Sequence, residues 1–148
     1  MDDKFDCFSG LLRGALGSRL KAGPEIVDLF TEDVVFEFPY APDGLPTRLK
    51  GIPALVDHLA RLGPMLELGK FTLHRVHPSG ETVVFEFSCR GRGVATGLPY
   101  DQDYISVVTL REGRIARYRD YWNPLVALSA LGGAKAAAEA YAGETTHG

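Results

Sequence analysis

Apolar residues in the first part of the chain follow a helical period in two segments and a strand-like pattern in a third. A spacing of three to four positions over residues 5–16 and 52–62 predicts two amphipathic helices. Residues 26–30 follow a Gly-Pro break and predict a short helix between them. Residues 34–38 are rich in β-forming side chains and predict a strand, whereas residues 39–51 carry the prolines and glycines of a loop.

Strand-like segments dominate the second half of the chain. Turn signals such as Pro78-Ser79-Gly80 and Glu112-Gly113 separate them and are short enough to join antiparallel neighbours. The predicted strands are residues 71–77, 82–90, 100–110 and 114–122, followed by short helices at 125–131 and 134–142 and a frayed tail at 144–148.

Helices that precede and interrupt a meander of strands predict a single α+β domain over residues 1–148. The apolar stripe of the helix at 52–62 needs a surface to cover. We therefore expect the three N-terminal and inserted helices to pack on one face of a curved antiparallel sheet. A bent sheet of this kind can enclose a cone-shaped cavity.

Composition and charge exclude several classes of protein. With 45% hydrophobic and 24% charged residues, the chain is too apolar to be disordered and too charged to be embedded in a membrane. A net charge of −3 opposes nucleic-acid binding. The N-terminus has no basic segment before an apolar stretch, so we expect no secretory signal and a cytoplasmic location. Cys7 and Cys89 are expected to be reduced, packed thiols.

His74 and His77 have a spacing that could hold a metal ion only if the strand were broken. On a regular strand, residues three apart point to opposite faces, so we expect no metal site. Gly91, Gly93 and Gly97 follow a strand but do not lead into a helix, which argues against a phosphate-binding loop. We therefore expect no cofactor.

The last predicted strand places one carboxyl group among aromatic side chains. Alternation puts Ala116, Tyr118, Asp120 and Trp122 on one face. Burial there would raise the pKa of Asp120 and allow proton exchange near neutral pH, which makes Asp120 a candidate catalytic residue. The alternative is that Asp120 pairs with an arginine at the sheet edge.

His58 is the second candidate catalytic residue. It lies at the boundary of the apolar stripe of its helix, from which a side chain can reach a cavity mouth as a proton partner or orienting donor to Asp120. Boundary histidines are also commonly solvated. Tyr104 and Tyr118 are candidates to donate hydrogen bonds to a substrate oxygen, although a buried tyrosine more often bonds a backbone carbonyl.

Large apolar side chains on the strands are candidates for the cavity wall. Phe36 and Phe38 share one face of the first strand, Phe87 lies on a later strand, and Trp122 follows Asp120 at the same alternation. These residues would contact a small apolar molecule. The alternative is that they form ordinary core.

The closing strand from Gly113 to Pro124 (GRIARYRDYWNP), together with the order of the elements, resembles the SnoaL-like and ketosteroid-isomerase-like branch of the nuclear transport factor 2-like superfamily. The resemblance extends from Leu11 to Leu131. It implies a cystatin-like cone of sheet and helices and a homodimer formed through the sheet face, to which Arg117, Arg119 and Tyr121 could contribute. Fold resemblance alone leaves the function open, because this scaffold carries both enzymes and binding modules.

This chain lacks catalytic residues that characterise two branches of that superfamily. Limonene epoxide hydrolase is similar at Asp120, but its arginine and second aspartate correspond here to Phe87 and Cys89. Ketosteroid isomerases carry a general base where this chain has Phe38. Their oxyanion-hole acid falls near Ser106, which makes this serine a candidate ligand contact.

A third branch matches at both candidate catalytic positions. Phenazine-biosynthesis proteins of the A/B type carry an acid and a helix histidine that correspond to Asp120 and His58. The resulting hypothesis is a cofactor-independent enzyme that isomerises, cyclises or dehydrates a small apolar molecule with a polarised oxygen. The alternatives are a non-catalytic binding or interaction module, and an epoxide hydrolase if Arg90 or Arg92 replaces the missing arginine.

Overall fold

Within residues 2–21 and 23–143, the part of the chain that this computed structural model describes, seven strands form one sheet and four α-helices pack around it. The predicted frayed tail at 144–148 lies outside the described residues. The strands are β1 (Asp3–Phe5), β2 (Phe30–Glu37), β3 (Arg48–Lys50), β4 (Leu66–Ser79), β5 (Thr82–Gly93), β6 (Gln102–Arg111) and β7 (Arg114–Trp122). The α-helices are α1 (Phe8–Leu16), α2 (Ile52–Leu62), α3 (Pro124–Leu131) and α4 (Ala134–Ala142), with 3-10 helices at Gly17–Arg19 and Ile26–Leu29.

The strand order across the sheet is β1-β4-β5-β6-β7-β2-β3. The predicted α+β fold and the meander from β4 to β7 are confirmed. One pair differs from the antiparallel expectation, because β2 lies parallel to β7. Side-chain alternation predicts which face a strand buries but not its partner, so this pairing was not visible in the sequence.

Several element boundaries differ from the sequence prediction, and β2 begins at Phe30, four residues before its predicted start. Residues 3–5 form the edge strand β1 instead of the start of a helix, and residues 48–50 form the edge strand β3 inside the predicted loop. Strand β4 begins at Leu66, five residues before the predicted start. The two edge strands have three residues each, which is too short for an alternating pattern to be recognised.

The main core lies between the sheet and helices α1 and α2. Leu11, Leu12 and Leu16 of α1 are fully buried, and they belong to the same apolar cluster as Phe85 of β5. The stripe of α2 contributes Leu55. Both cysteines are free thiols, and Cys89 is buried as expected, but Cys7 is exposed, so the expectation of a packed thiol is wrong for Cys7. None of the helices in the described residues is long and apolar enough to cross a bilayer.

Two β-bulges change which side chains face the core. The register between β6 and β7 shifts at Ala116, so Ile115 is fully buried and Ala116 does not hold the core position that simple alternation assigns to it. The register between β4 and β5 shifts at His74. A bulge inserts one extra residue, so side chains on either side of it no longer alternate.

Helix α3 packs directly against the end of β5. A Cβ atom at Gly93 would collide with the backbone carbonyl oxygen of Ala130, so the close approach of this helix requires a glycine there. Thr96 donates a hydrogen bond to the same carbonyl at 2.6 Å. Gly132 then ends α3 in the left-handed conformation, with φ of 86°.

The substitution Gly93→Ala is expected to destabilise the fold by about 1–3 kcal/mol, because the added methyl group forces α3 away from the sheet. Chemical denaturation measures the effect. The control is Gly63→Ala, where no atom lies within 4 Å of the new Cβ and the backbone is already helical. Equal stability of the two variants would show that α3 is free to shift.

Candidate functional site

A partly enclosed cavity of about 100 Å³ lies among helices α2, α3 and α4 and the ends of β6 and β7. Apolar and aromatic side chains supply most of its wall, and the polar groups that reach it come from α2, α4, β6, β7 and the segment before β6. The lining residues are Phe38, Leu45, Pro46, His58, Leu62, Met65, Leu66, Leu68, Tyr100, Tyr104, Asp120, Trp122, Ala127, Leu131 and Tyr141.

Asp120 borders this cavity from strand β7 without a cationic partner. Across the sheet it faces Ser106 of β6, whose hydroxyl donates a long hydrogen bond of 3.4 Å to the carboxylate. Among the described residues, no Lys, Arg or His nitrogen lies within 4.0 Å of the Asp120 carboxylate. The alternative of a sheet-edge arginine is therefore wrong for this part of the chain, because Arg117 and Arg119 both contact Glu37.

The enclosure of Asp120 changes its acidity. The side chain keeps partial exposure because it borders the cavity, yet protein surrounds the carboxyl group. Burial disfavours the charged form and raises the pKa of Asp120 to about 7, and the hydrogen bond from Ser106 only partly opposes this. Asp120 can thus hold or release a proton near neutral pH.

His58 lies on the same cavity from helix α2, and the shift in its pKa is opposite to that of Asp120. The side chain is 6% exposed and its ring lies 4.9 Å from the ring of Phe38. Burial lowers the pKa of His58 to about 4, so the imidazole is neutral at physiological pH. Its Nδ1 atom lies 2.9 Å from the hydroxyl oxygen of Tyr141.

Two tyrosines place a pair of hydroxyl groups at the cavity wall. The hydroxyl oxygens of Tyr100 and Tyr104 are 3.2 Å apart, and the ring of Tyr104 stacks on Phe87 at 4.5 Å. Burial raises the pKa of both phenols, so both remain protonated. A hydrogen bond between two hydroxyls uses one of their two hydrogens, so the pair retains one donor.

The structure brings five of the nine predicted site residues to the cavity and places four behind it. Phe36 stacks on Tyr118 at 4.2 Å in the core, and Ser106 bonds the Tyr118 hydroxyl at 2.7 Å. Phe87 supports Tyr104 from behind. The expectation of direct ligand contact is therefore corrected for Phe36, Phe87, Ser106 and Tyr118, since none of them lines the cavity. The cavity-lining residues from that prediction are Phe38, His58, Tyr104, Asp120 and Trp122.

Sequence analysis missed Tyr100 and Tyr141 as site residues. Tyr100 shares the alternation of Tyr104 and Ser106, so the strand pattern contained a signal for it. Tyr141 approaches His58 from 83 positions away in the sequence. No local pattern could have linked these two residues, because only the packing of α4 brings them together.

The arginines considered for epoxide hydrolysis lie outside the cavity. Arg90 contacts Asp101 at 3.7 Å, and Arg92 contacts Glu67 at 2.8 Å. Neither arginine lines the cavity around Asp120. The condition set for an epoxide hydrolase, a replacement arginine beside the acid, is not met by either residue.

A larger open groove of about 590 Å³ lies on the outer face of the sheet. The bulge at His74 turns this residue to the outer face, where it contacts Ser88 at 2.8 Å, and His77 contacts Glu86 on the same face at 2.7 Å. The expectation that the two histidines point to opposite faces is therefore wrong. We place the candidate site in the smaller cavity, because Asp120 and His58 both line it and apolar and aromatic side chains surround them.

Comparison with protein families matches residues 21–118 to the SnoaL-like domain. The uncharacterized protein YesE of Bacillus subtilis is 50% identical over 108 residues, which cover 72% of this chain and 74% of that protein. An uncharacterized PhzA/B-like protein of Pseudomonas aeruginosa is 44% identical over 114 residues, covering 76% of this chain and 80% of that protein.

Solved structures of similar fold also match this chain. The crystal structure of a proposed isomerase from Bacillus subtilis has 50% sequence identity and a TM-score of 0.68, covering 72% of this chain and 78% of that one. NTF2-like proteins from two Burkholderia species also match, at 18% and 23% identity. Likeness at that level shows the fold alone.

The substitution Asp120→Asn is expected to change how stability depends on pH. Between about pH 4 and 7 the folded wild-type protein keeps a proton on Asp120 that the unfolded chain releases. As the pH rises through this range, the free energy of unfolding of the wild type therefore falls relative to that of the Asn variant, by up to about 1.4 kcal/mol per pH unit. Chemical denaturation at several pH values measures this difference.

Burial of His58 makes the free energy of unfolding rise with pH instead. This contribution is present in both the wild type and Asp120→Asn, so it cancels when the two proteins are compared. The matched control is Asp103→Asn, on the exposed outer face. A difference between wild type and Asp120→Asn that stays constant from pH 4 to 8 would contradict the raised pKa.

Proposed function

The chain belongs to the SnoaL-like family, and from this premise we propose that it is an enzyme that performs acid/base chemistry without a cofactor. The substrate is a small apolar molecule with a polarised oxygen. The observation that carries this proposal is the Asp120 carboxyl group, enclosed in an apolar cavity with no cation beside it among the described residues. A carboxyl group with a pKa near the working pH is suited to both accept and return a proton.

The proposed reaction begins with the ionised form of Asp120. The carboxylate removes a proton from a carbon next to the substrate carbonyl, and the electron pair of that bond moves toward the carbonyl oxygen. The carboxylic acid then returns the proton to another atom of the same molecule. Isomerisation, cyclisation and dehydration all use such a transfer, and the fold does not distinguish among them.

The developing negative charge on the substrate oxygen needs hydrogen-bond donors. The Tyr100 and Tyr104 pair retains one donor hydrogen, and His58 is neutral and borders the same cavity. Donors held in place in an apolar site stabilise such a charge more than water does. The relative described as a proposed isomerase, at 50% identity, is consistent with this chemistry.

The size of the cavity limits the substrate. A cavity of about 150 Å³ in another protein holds benzene, and pockets for drug-sized ligands have roughly 300–1,000 Å³. The cavity of about 100 Å³ therefore fits a single small ring or a short chain unless its wall moves.

We also propose that the protein is a homodimer formed through the outer face of the sheet. Ile105 is 46% exposed there, and Tyr40 and Tyr121 pack edge to face beside it. Arg117 and Arg119 both contact Glu37. An exposed apolar surface with polar and charged side chains around it is typical of a protein–protein interface.

Proton exchange at carbon tests the proposed chemistry. In D₂O, the wild-type protein is expected to catalyse deuterium incorporation next to the carbonyl group of one or more ketones in a panel of small cyclic ketones. The rate should rise with pH to about 7 and then level, because the carboxylate is the base. Proton NMR measures the loss of the C–H signal.

The variant Asp120→Asn is expected to lower this rate by at least about 100-fold, whereas Asp103→Asn leaves it unchanged. An unchanged rate in Asp120→Asn would remove Asp120 from the mechanism. If the wild type retains a small molecule in native mass spectrometry but exchanges no proton with any ketone, the protein is the non-catalytic binding module instead.

The substitution Ile105→Glu is expected to dissociate the proposed dimer, because it places a charge in the apolar part of the interface. Sedimentation velocity should give about twice the chain mass of 16.1 kDa for the wild type and the single-chain mass for the variant. The control is Leu125→Glu, at an exposed leucine on α3. A monomeric wild type would contradict the dimer.

A further inference from the structure

Tyr141 brings the C-terminal helix α4 into contact with the candidate site. Its hydroxyl oxygen lies 2.9 Å from Nδ1 of His58, and the two ring centroids are 5.7 Å apart. Tyr141 lies outside residues 21–118, the range matched by the family.

Arg61 anchors the end of α4 above His58. One guanidinium nitrogen of Arg61 donates to the backbone carbonyls of Tyr141 and Gly143, at 2.8 and 2.9 Å. The guanidinium group also lies 5.5 Å from the centre of the Tyr141 ring, and Asp57 accepts a hydrogen bond from it at 2.9 Å. The tyrosine is thus held at its backbone and at its ring, which positions its hydroxyl group at His58.

The contact between Tyr141 and His58 determines which imidazole nitrogen carries the hydrogen. Burial raises the pKa of Tyr141, so the phenol keeps its proton. A neutral imidazole nitrogen is a stronger acceptor than a phenol oxygen, so the favoured arrangement is a phenol O–H that donates to Nδ1. In a neutral imidazole with an unprotonated Nδ1, the proton is on Nε2.

The other ring nitrogen of His58 is available to a ligand. No described residue forms a hydrogen bond with Nε2, and the residue lines the cavity that also holds Asp120. An N–H group at this position can donate to a substrate oxygen. It cannot act as a base while the same nitrogen carries the proton.

We propose that Tyr141 is a positioning residue that fixes His58 in the tautomer with the proton on Nε2. His58 then donates a hydrogen bond to the substrate oxygen and leaves proton transfer to Asp120. The assignment of the substrate oxygen rests on the proposed function. The tautomer itself does not, because it is a property of the ligand-free protein.

Nitrogen NMR of ligand-free protein with ¹⁵N-labelled histidine tests the proposal. The resonances of His58 are identified by their absence in His58→Gln. The wild type is expected to show an unprotonated Nδ1 and a protonated Nε2 at pH 7. In Tyr141→Phe both signals should shift toward each other, because the lost donor allows the two tautomers to mix.

The matched control is Tyr40→Phe, which removes a hydroxyl group from the outer groove, keeps the ring that packs on Tyr121, and should leave both signals unchanged. A protonated Nδ1 in the wild type would overturn the proposal, as would an unchanged spectrum in Tyr141→Phe. If Tyr141→Phe fails to fold, Arg61→Met removes the backbone anchor and should give the same direction of shift. Failure of proton exchange with ketones would reject the proposed function but leave this result standing.

Discussion

The candidate site depends on one constraint: a carboxyl group that is surrounded by protein and has no cation beside it in the described part of the chain. In water a carboxylate is ionised at pH 7, and burial beside an arginine would keep it so. Here the cavity around Asp120 offers one long hydrogen bond from Ser106 and a wall of apolar and aromatic side chains. The charged form is therefore costly, which lowers stability at neutral pH but gives the group a proton affinity useful for catalysis.

The same enclosure acts in the opposite direction on His58. Burial removes the charge from an imidazole and adds a proton to a carboxyl group, so both groups tend toward their neutral forms in one cavity. The fold assembles this pair from distant segments. Strands β6 and β7 position Asp120, α2 positions His58, and α3 and α4 close the cavity. A neutral hydrogen-bond donor and a carboxyl group that can take up and release a proton are complementary groups for proton transfer next to a polarised oxygen.

The α+β architecture and the burial of Asp120 among aromatic side chains could be predicted from the sequence, because both depend on local periodicity. The stripe of α2 and the alternation through Tyr118, Asp120 and Trp122 were sufficient for this. Features that depend on pairing or packing could not be predicted. The bulge at His74 reversed the expected direction of a side chain, and the contact of Tyr141 with His58 joins segments that share no local pattern. Alternation also predicted that Phe36 is buried, but it could not show whether a buried side chain belongs to the core or to the cavity wall.

The protonation state of Asp120 is the central claim, and its direct measurement is a carbon NMR titration. The protein is labelled with ¹³C at aspartate side-chain carboxyls, and Asp120 is identified by its absence in Asp120→Asn. The account predicts a midpoint for Asp120 near pH 7. A midpoint near 4, the ordinary value for an aspartate in water, would show that the carboxyl group is solvated or paired and would contradict the account.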